Sequence, residues 1–218
     1  MSAPAPFFVA ITGGSGSGKS CVSRALVDKL ADRGAVLISE DDYYHDHGAR
    51  PGFDPLAVNF DHLEARDHAL LADHLTAWRR GETVRQPRYD FTSHRRTTDT
   101  LRVGPAPVMV LEGLHLLASP GLRRQFDLTV YIDVPDDVRL SRRMLRDVAQ
   151  RGRTIDSVVQ QYLATVRPMH RLFTEPGRAV ADLVLHEPEQ PRPLEASVAD
   201  FAARIAARID HHLTIRVP

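Results

Sequence analysis

An α/β fold, a five-stranded parallel sheet flanked by helices, is what this sequence predicts. Three observations carry the prediction. Five short apolar runs, at 7–12, 35–39, 107–111, 128–132 and 183–185, have the length and continuity of strands buried on both faces. Stretches of helical period separate most of them, the alternation expected of a parallel sheet. A glycine-rich turn joins the first run directly to the first helical stretch.

Taken in order, the first helix spans 20–30, with Val22, Leu26 and Leu30 on one face. A second spans 62–78, carrying Leu70, Leu71, Leu75 and Trp78. Segment 81–103 breaks the alternation. It is polar, rich in Arg and Thr, and holds Thr83-Val84-Arg85, Tyr89-Asp90-Phe91 and Thr100-Leu101-Arg102-Val103, which predicts a β-hairpin projecting from the sheet. The proline-rich stretch 188–193 separates the last strand from a terminal packing helix over 194–213, with Val198, Phe201, Ala202, Ile205, Ile209 and Leu213 facing inward. At 218 residues the chain is expected to form one large domain, 1–218.

Composition narrows the function. Lys and Arg total 28 and so do Asp and Glu, a balance that argues against a nucleic-acid coat or a membrane-surface binder. Cys21 is the single cysteine, which excludes a disulfide framework and a cysteine-based zinc site. The 11 histidines are scattered, and structural or surface roles are expected for all but His94 and His170. No apolar run approaches the roughly 20 residues that span a bilayer. The start, Met1-Ser-Ala-Pro-Ala-Pro, lacks a basic region followed by an apolar core, so the cytoplasm is the expected compartment.

The turn after the first strand, Gly13-Gly14-Ser15-Gly16-Ser17-Gly18-Lys19-Ser20, fits G-x-x-x-x-G-K-[ST] in the strand–loop–helix setting its chemistry requires. Glycines let backbone N–H groups turn in around phosphate oxygens, and the helix start adds the positive end of its dipole. Lys19 is expected to reach the β- and γ-phosphates and Ser20 to ligate Mg²⁺. Segment 13–21 is the nucleotide-binding set, and the Cys21 side chain at its end reads as a small buried hydrophobe. The fold is therefore expected to be of the P-loop NTPase class.

A phosphate cradle defines a nucleotide and leaves the reaction open. The only lysines, Lys19 and Lys29, follow Gly18 and Asp28, so no N-K-x-D guanine reader exists. The run Val108-Met-Val-Leu-Glu112-Gly113 ends in one carboxylate, where motor-type ATPases usually carry adjacent acids. A small-molecule kinase leads, ahead of a nucleotide-sensing protein without catalysis. Such a kinase needs carboxylates at the carboxyl ends of its strands. Glu112 and the run Glu40-Asp41-Asp42 meet that need.

Beyond the P-loop, the segments Asp41-Asp-Tyr-Tyr44, Asn59-Phe-Asp-His62, Tyr89-Asp-Phe-Thr-Ser-His94, Arg139-Leu-Ser-Arg-Arg-Met-Leu-Arg-Asp147, Arg151-Gly-Arg153 and Gln161-Tyr162 follow in one order and spacing. In these the chain resembles the uridine kinases, within the uridine kinase/phosphoribulokinase group of P-loop kinases. The resemblance spans about residues 7–185. It implies transfer of the γ-phosphoryl group of Mg-ATP, with GTP as an alternative donor, to the 5′-hydroxyl of uridine or cytidine. It makes Asp41 the general base, with Tyr44 beside it, and gives Asp61 the ribose hydroxyls. Tyr89, Phe91 and His94 would enclose the pyrimidine, while Ser20 and Glu112 would serve Mg²⁺. Arg143, Arg146 and Arg153, with Gln161, form an Arg-rich lid over about 139–162, and Lys19 and Arg146 join Asp41 in catalysis. A homo-oligomer, commonly a tetramer, is also implied. Relatives acting on pantothenate, a sugar phosphate or nicotinamide riboside are the nearest alternatives.

The chemistry of these residue types fits the roles. A carboxylate accepts from two neighbouring hydroxyls, aromatic faces enclose a flat base, and guanidinium groups neutralise a transferring phosphoryl group from several sides. Arg139, Arg142, Arg143 and Arg146 fall at helical spacing, so one face is expected to present them together. The chain departs from the family pattern at Leu63 after His62, at His45-Asp46-His47-Gly48 and at Thr154 after Arg153.

Overall fold

The computed structural model describes residues 5–55, 57–189 and 192–215. Of the expected connector 188–193, Gln190 and Pro191 lie outside these residues, as do Met1 to Pro4 of the chain start. β1 (Phe7–Gly13) is buried along its whole length. Phe7, Val9 and Ile11 point into one core and Phe8 and Ala10 into another, so the strand needs apolar residues at every position. The chain continues through α1 (Lys19–Lys29), β2 (Ala35–Ser39) and α2 (His68–Arg79). Then come four short strands, β3 (Val84–Gln86), β4 (Tyr89–Asp90), β5 (Arg95–Arg96) and β6 (Leu101–Val103). β7 (Val108–Gly113), α3 (Pro120–Arg123) and β8 (Leu128–Asp133) follow, and then α4 (Asp136–Arg151), α5 (Ile155–Gln161) and α6 (Arg167–Met169). Two π-wound turns, Tyr162–Val166 and His170–Thr174, flank α6, and β9 (Leu183–His186) and α7 (Leu194–Ile215) close the fold.

The five-stranded sheet has the order β2-β7-β1-β8-β9 with every pair parallel. Leaving β1, the chain first builds to one side, then crosses to the other at β8. That reversal leaves a crevice beyond the carboxyl end of β1, where ligands of open α/β sheets bind. The core on one face packs α1 and α7 through Val22, Leu26, Phe201, Ile205 and Ile209. The core on the other face packs α2 through Leu71, Leu75 and Trp78. No helix among the described residues is long and apolar enough to cross a membrane.

The five-stranded parallel sheet and its flanking helices agree with the sequence expectation, and three local features correct it. The second helix begins at His68, not 62. Asp67 caps it by accepting the Leu70 N–H at 3.0 Å, a contact worth about 1 kcal/mol. Arg66 before it is extended and bridges to Tyr44. Segment 81–103 forms two short antiparallel ladders, β3–β6 and β4–β5, in place of one hairpin ladder; Pro87, which has no N–H to donate, falls between them. Cys21 is exposed, because the buried positions of α1 are Val22, Ser23 and Leu26.

Candidate active site

The phosphate loop forms because backbone and side chain meet without room for a Cβ. Gly16 has φ 85°, and a Cβ there would stand 2.3 Å from the Arg139 carbonyl oxygen. A Cβ at Gly14 would stand 2.2 Å from the Arg139 guanidinium. Ser17 N–H closes the loop on the Gly14 carbonyl at 3.0 Å. Gly18 is the N-cap of α1 and supplies no side-chain acceptor, so the first N–H groups of that helix are offered to an anion.

Beyond the loop opens a cavity of about 270 Å³. Ser15, Lys19 and Ser20 reach it from the loop and α1, and Asp41 and Tyr44 from the turn after β2. Asp61 comes from the segment before α2, Tyr89, Phe91 and His94 from the hairpin, and Arg143, Arg146 and Gln161 from α4 and α5. Twelve of the residues singled out from the sequence thus share one chamber. Four others line it without having been given a site role: Phe60 and Arg151, which lie inside the segments Asn59-Phe-Asp-His62 and Arg151-Gly-Arg153, and Arg66 and Leu114, which carry no signal of their own.

The aromatic wall is a connected set. Tyr44 and Tyr89 have ring centroids 5.0 Å apart, and Tyr89 and Phe91 meet edge to face at 5.2 Å. His94 stacks on Phe60 at 4.6 Å and holds the left-handed φ of 55°, which a side chain tolerates where its surroundings fix it. Gly48 N–H donates to the His94 carbonyl at 2.8 Å, tying the hairpin tip to the body. Phe91 is 58% exposed, so it lines the chamber without serving the core.

The acids differ in their surroundings. Glu112 is the penultimate residue of β7, paired in register with Ser39 and Ile11, rather than a residue beyond the strand. It accepts from Ser20 Oγ at 3.1 Å and Ser39 Oγ at 3.2 Å. Burial raises its pKa, and the nearby Lys19 charge only partly offsets this. A buried carboxylate beside a serine hydroxyl and short of positive charge suits a small, hard divalent cation. Among the described residues no group of three or more His, Cys, Asp or Glu could hold a metal by itself, so such a cation would complete its shell with phosphate and water oxygens. Asp61 accepts from Thr165 Oγ1 at 3.0 Å. Asp42 accepts from Gln86 at 2.8 Å and is not among the residues lining the chamber.

The arginine stripe divides. Arg143 donates to Ser15 Oγ and to Gln161 Oε1, both at 2.8 Å, and Arg146 lies beside it in the chamber. Arg139 is buried beneath the phosphate loop, where it donates to the Val134 carbonyl at 3.0 Å. Arg142 turns away to Glu187 at 2.9 Å. The expected shared face therefore reduces to Arg143 and Arg146, because the wide α4 face must also seat the loop and contact the last strand. Asp147, fully buried, gathers Arg143, Arg146, Arg151 and Arg153 within 4 Å. Arg153 also donates to Gln161, standing behind the chamber wall.

The family model of phosphoribulokinase and uridine kinase matches residues 8–190. A uridine kinase of Geobacillus kaustophilus is 42% identical over 182 residues, covering 84% of this chain and 86% of that protein. A uridine kinase of Listeria monocytogenes is 43% identical over the same share of this chain and 87% of its own. Among solved structures, a candidate fructose transport system kinase from Silicibacter superposes with a TM-score of 0.72 at 26% identity, covering 84% and 91% of the two chains. Phosphoribulokinase of Rhodobacter spheroides superposes with a TM-score of 0.55 at 16% identity over 78% and 68%, a likeness of fold.

Proposed function

We propose that this chain, which belongs to the phosphoribulokinase/uridine kinase family, is a phosphotransferase that moves the γ-phosphoryl group of ATP to the 5′-hydroxyl of uridine, giving UMP and ADP. The observation that carries the reading is the shared chamber: phosphate loop, Asp41, aromatic hairpin and arginines all open onto it.

In this reading the loop amides and Lys19 bind the donor's β- and γ-phosphates. Tyr44, Tyr89, Phe91 and Phe60 enclose the pyrimidine, His94 supplies it a hydrogen bond, and Asp61 grips the ribose hydroxyls. Asp41 takes the proton of the 5′-hydroxyl as that oxygen bonds to the γ-phosphorus. The bond to the β–γ bridging oxygen breaks, and its electron pair leaves on ADP. Arg143 and Arg146 neutralise the equatorial oxygens in a loose transition state. Glu112 and Ser20 would hold Mg²⁺, which would supply positive charge to offset that of the donor's phosphates. Cytidine fits as a second acceptor, and GTP as a second donor. We assign the reaction to the cytoplasm. Exposed Leu145, Ile155, Leu163 and Leu172 support assembly as a homo-oligomer.

A reading as kinase of a sugar is weaker: the likeness to the candidate fructose transport system kinase is at 26% identity, that to the uridine kinases at 42–43%. A coupled ADP-release assay with Mg-ATP or Mg-GTP and a panel of uridine, cytidine, purine nucleosides, pantothenate, nicotinamide riboside and a sugar phosphate tests this. Turnover is expected with uridine and cytidine. Turnover confined to a non-nucleoside, or nucleotide binding without turnover, would overturn it.

A further inference from the structure

Arg66 interrupts what the sequence pattern reads as helix, and its side chain is only 1% exposed. It touches five polar groups: Nη1 lies 3.4 Å from both the Phe60 carbonyl and His115 Nδ1. Nη2 donates to Asp41 Oδ1 at 2.9 Å and to the Tyr44 hydroxyl at 2.5 Å, while Nε lies 3.5 Å from Glu40 Oε2. The guanidinium also lies 4.2 Å from the Tyr44 ring centroid. Glu40 is fully buried and firmly seated. It accepts the Leu114 N–H at 2.7 Å and the His115 N–H at 3.1 Å, and contacts His68 Nε2 at 2.8 Å. Glu40 is thus anchored to the chain leaving β7 and faces Arg66.

Burial opposes both charges. It pushes the Arg66 pKa down, yet Tyr44, Asp41 and Glu40 outweigh it; it pushes Glu40 up, yet the His68 hydrogen bond and the Arg66 charge outweigh it. The pair stays ionised. Such a pair is a poor way to gain stability, since well-packed apolar residues often serve as well. Its geometry serves something else. One end of the guanidinium faces a buried carboxylate in ion-pair range at 3.5 Å, and the other ends on Asp41, whose side chain is 45% exposed beside the chamber.

We infer that Arg66, seated by Glu40, is a positioning residue: it grips one oxygen of the Asp41 carboxylate and aims the other at the acceptor hydroxyl. The inference rests on the assignment of Asp41 as base. Holding a reacting group within a narrow range of positions is a large part of catalysis, and a small misplacement costs rate rather than affinity.

The test is a double-mutant cycle between Arg66→Lys and Asp41→Asn, assayed with Mg-ATP and uridine. Lysine keeps a positive charge against Glu40 but offers no planar fork. Arg66→Lys is expected to lower kcat at least about tenfold, with KM for uridine and ATP within about threefold. In the Asp41→Asn background the same change should alter the residual rate less than about twofold, since the group it serves is gone. Should Arg66→Lys fail to fold, Glu40→Gln/Arg66→Met removes both buried charges together and is expected to show the same kcat loss. A rise in KM with kcat unchanged, no change at all, or an equal loss in both backgrounds would overturn the inference. Uridine turnover by the unsubstituted protein is read first. Its absence is the failure of the functional reading and removes this proposal with it.

Discussion

Asp41 and Asp42 are neighbours in sequence with opposite surroundings. Asp41 is half-exposed at the chamber wall, one oxygen held by Arg66 and its backbone N–H donating to Ser39 Oγ at 3.3 Å. Asp42 turns toward Gln86, and burial, more than the adjacent Asp41 charge, raises its pKa. From the sequence alone the two differ only by register. Their surroundings separate them: one is available to a substrate proton, the other is spent on holding the β3 strand to the turn. Asp41→Asn is therefore expected to lower kcat by about 10²–10⁴-fold with the ATP dissociation constant unchanged. Asp42→Asn, which can keep the Gln86 hydrogen bond, is expected to leave kcat within about threefold. Steady-state kinetics with a nucleotide-binding titration checks both. The reverse ranking would move the base by one residue.

At the scale of the element, the hairpin carrying Tyr89 and Phe91 and the helices α4 and α5 all line the chamber, and the two hairpin aromatics differ in what they contribute to the fold. Tyr89 is buried against Tyr44, so removing it would disturb both packing and site. Phe91 is largely exposed, so Phe91→Ala isolates the site. An aromatic contact of this kind is worth about 0.5–1.5 kcal/mol beyond its area. The expected outcome is a rise in KM for uridine of about tenfold, with KM for ATP and the melting temperature unchanged; a lower melting temperature with KM unchanged would mark Phe91 as structural. The polar, Arg- and Thr-rich composition of segment 81–103 made its antiparallel character legible, but not its division at Pro87 into two ladders or the place of Phe91 in the turn after β4. The phosphate loop was legible because its glycines are dictated by backbone geometry. The arginine stripe was only half legible. Spacing fixes which residues share a helix face, but a 16-residue helix touching the loop, the chamber and Glu187 distributes that face among three neighbours. Glu40 was read only as one of the acids after β2; its pairing with Arg66 was not legible, since a buried ion pair far apart in sequence leaves no periodic trace in either segment. The start of α2 was misjudged for the same reason: Arg66 leaves the helical pattern to meet its partners.

On the scale of the whole molecule, several histidines are buried and titratable, which ties stability to pH. His115 is pushed down to about 3 by burial, with Arg66 and His68 adding to the effect against Glu40 and Asp41. His170 is pushed down to about 4 by burial, with Arg139 and Lys19 adding against Asp136 and Asp133. Burial lowers His47 and His74 as well. In the unfolded chain these rings take up protons near pH 6.5, and in the native state only at lower pH. Below about pH 6.5 the unfolded state therefore binds more protons, so stability falls as pH falls, by up to about 1.4 kcal/mol per pH unit for each such histidine. For His170 the loss runs from about pH 6.5 to about 4, and for His115 it continues to about 3. Glu40 acts in the same direction. Its native pKa is depressed, so its contribution is complete above its unfolded value near 4.5 and is lost below it. Urea unfolding at 25 °C should thus give a free energy that is level between about pH 7.5 and 8.5 and declines steeply below 6.5. His170→Asn removes one of the titrating groups and should flatten the decline between pH 6.5 and 4 by about one proton's slope. An unchanged slope in that variant would mean that the segment after α6 opens to solvent and protonates His170 without unfolding the sheet, so that His170–Thr174 would be a separate unit of stability rather than part of one cooperative fold.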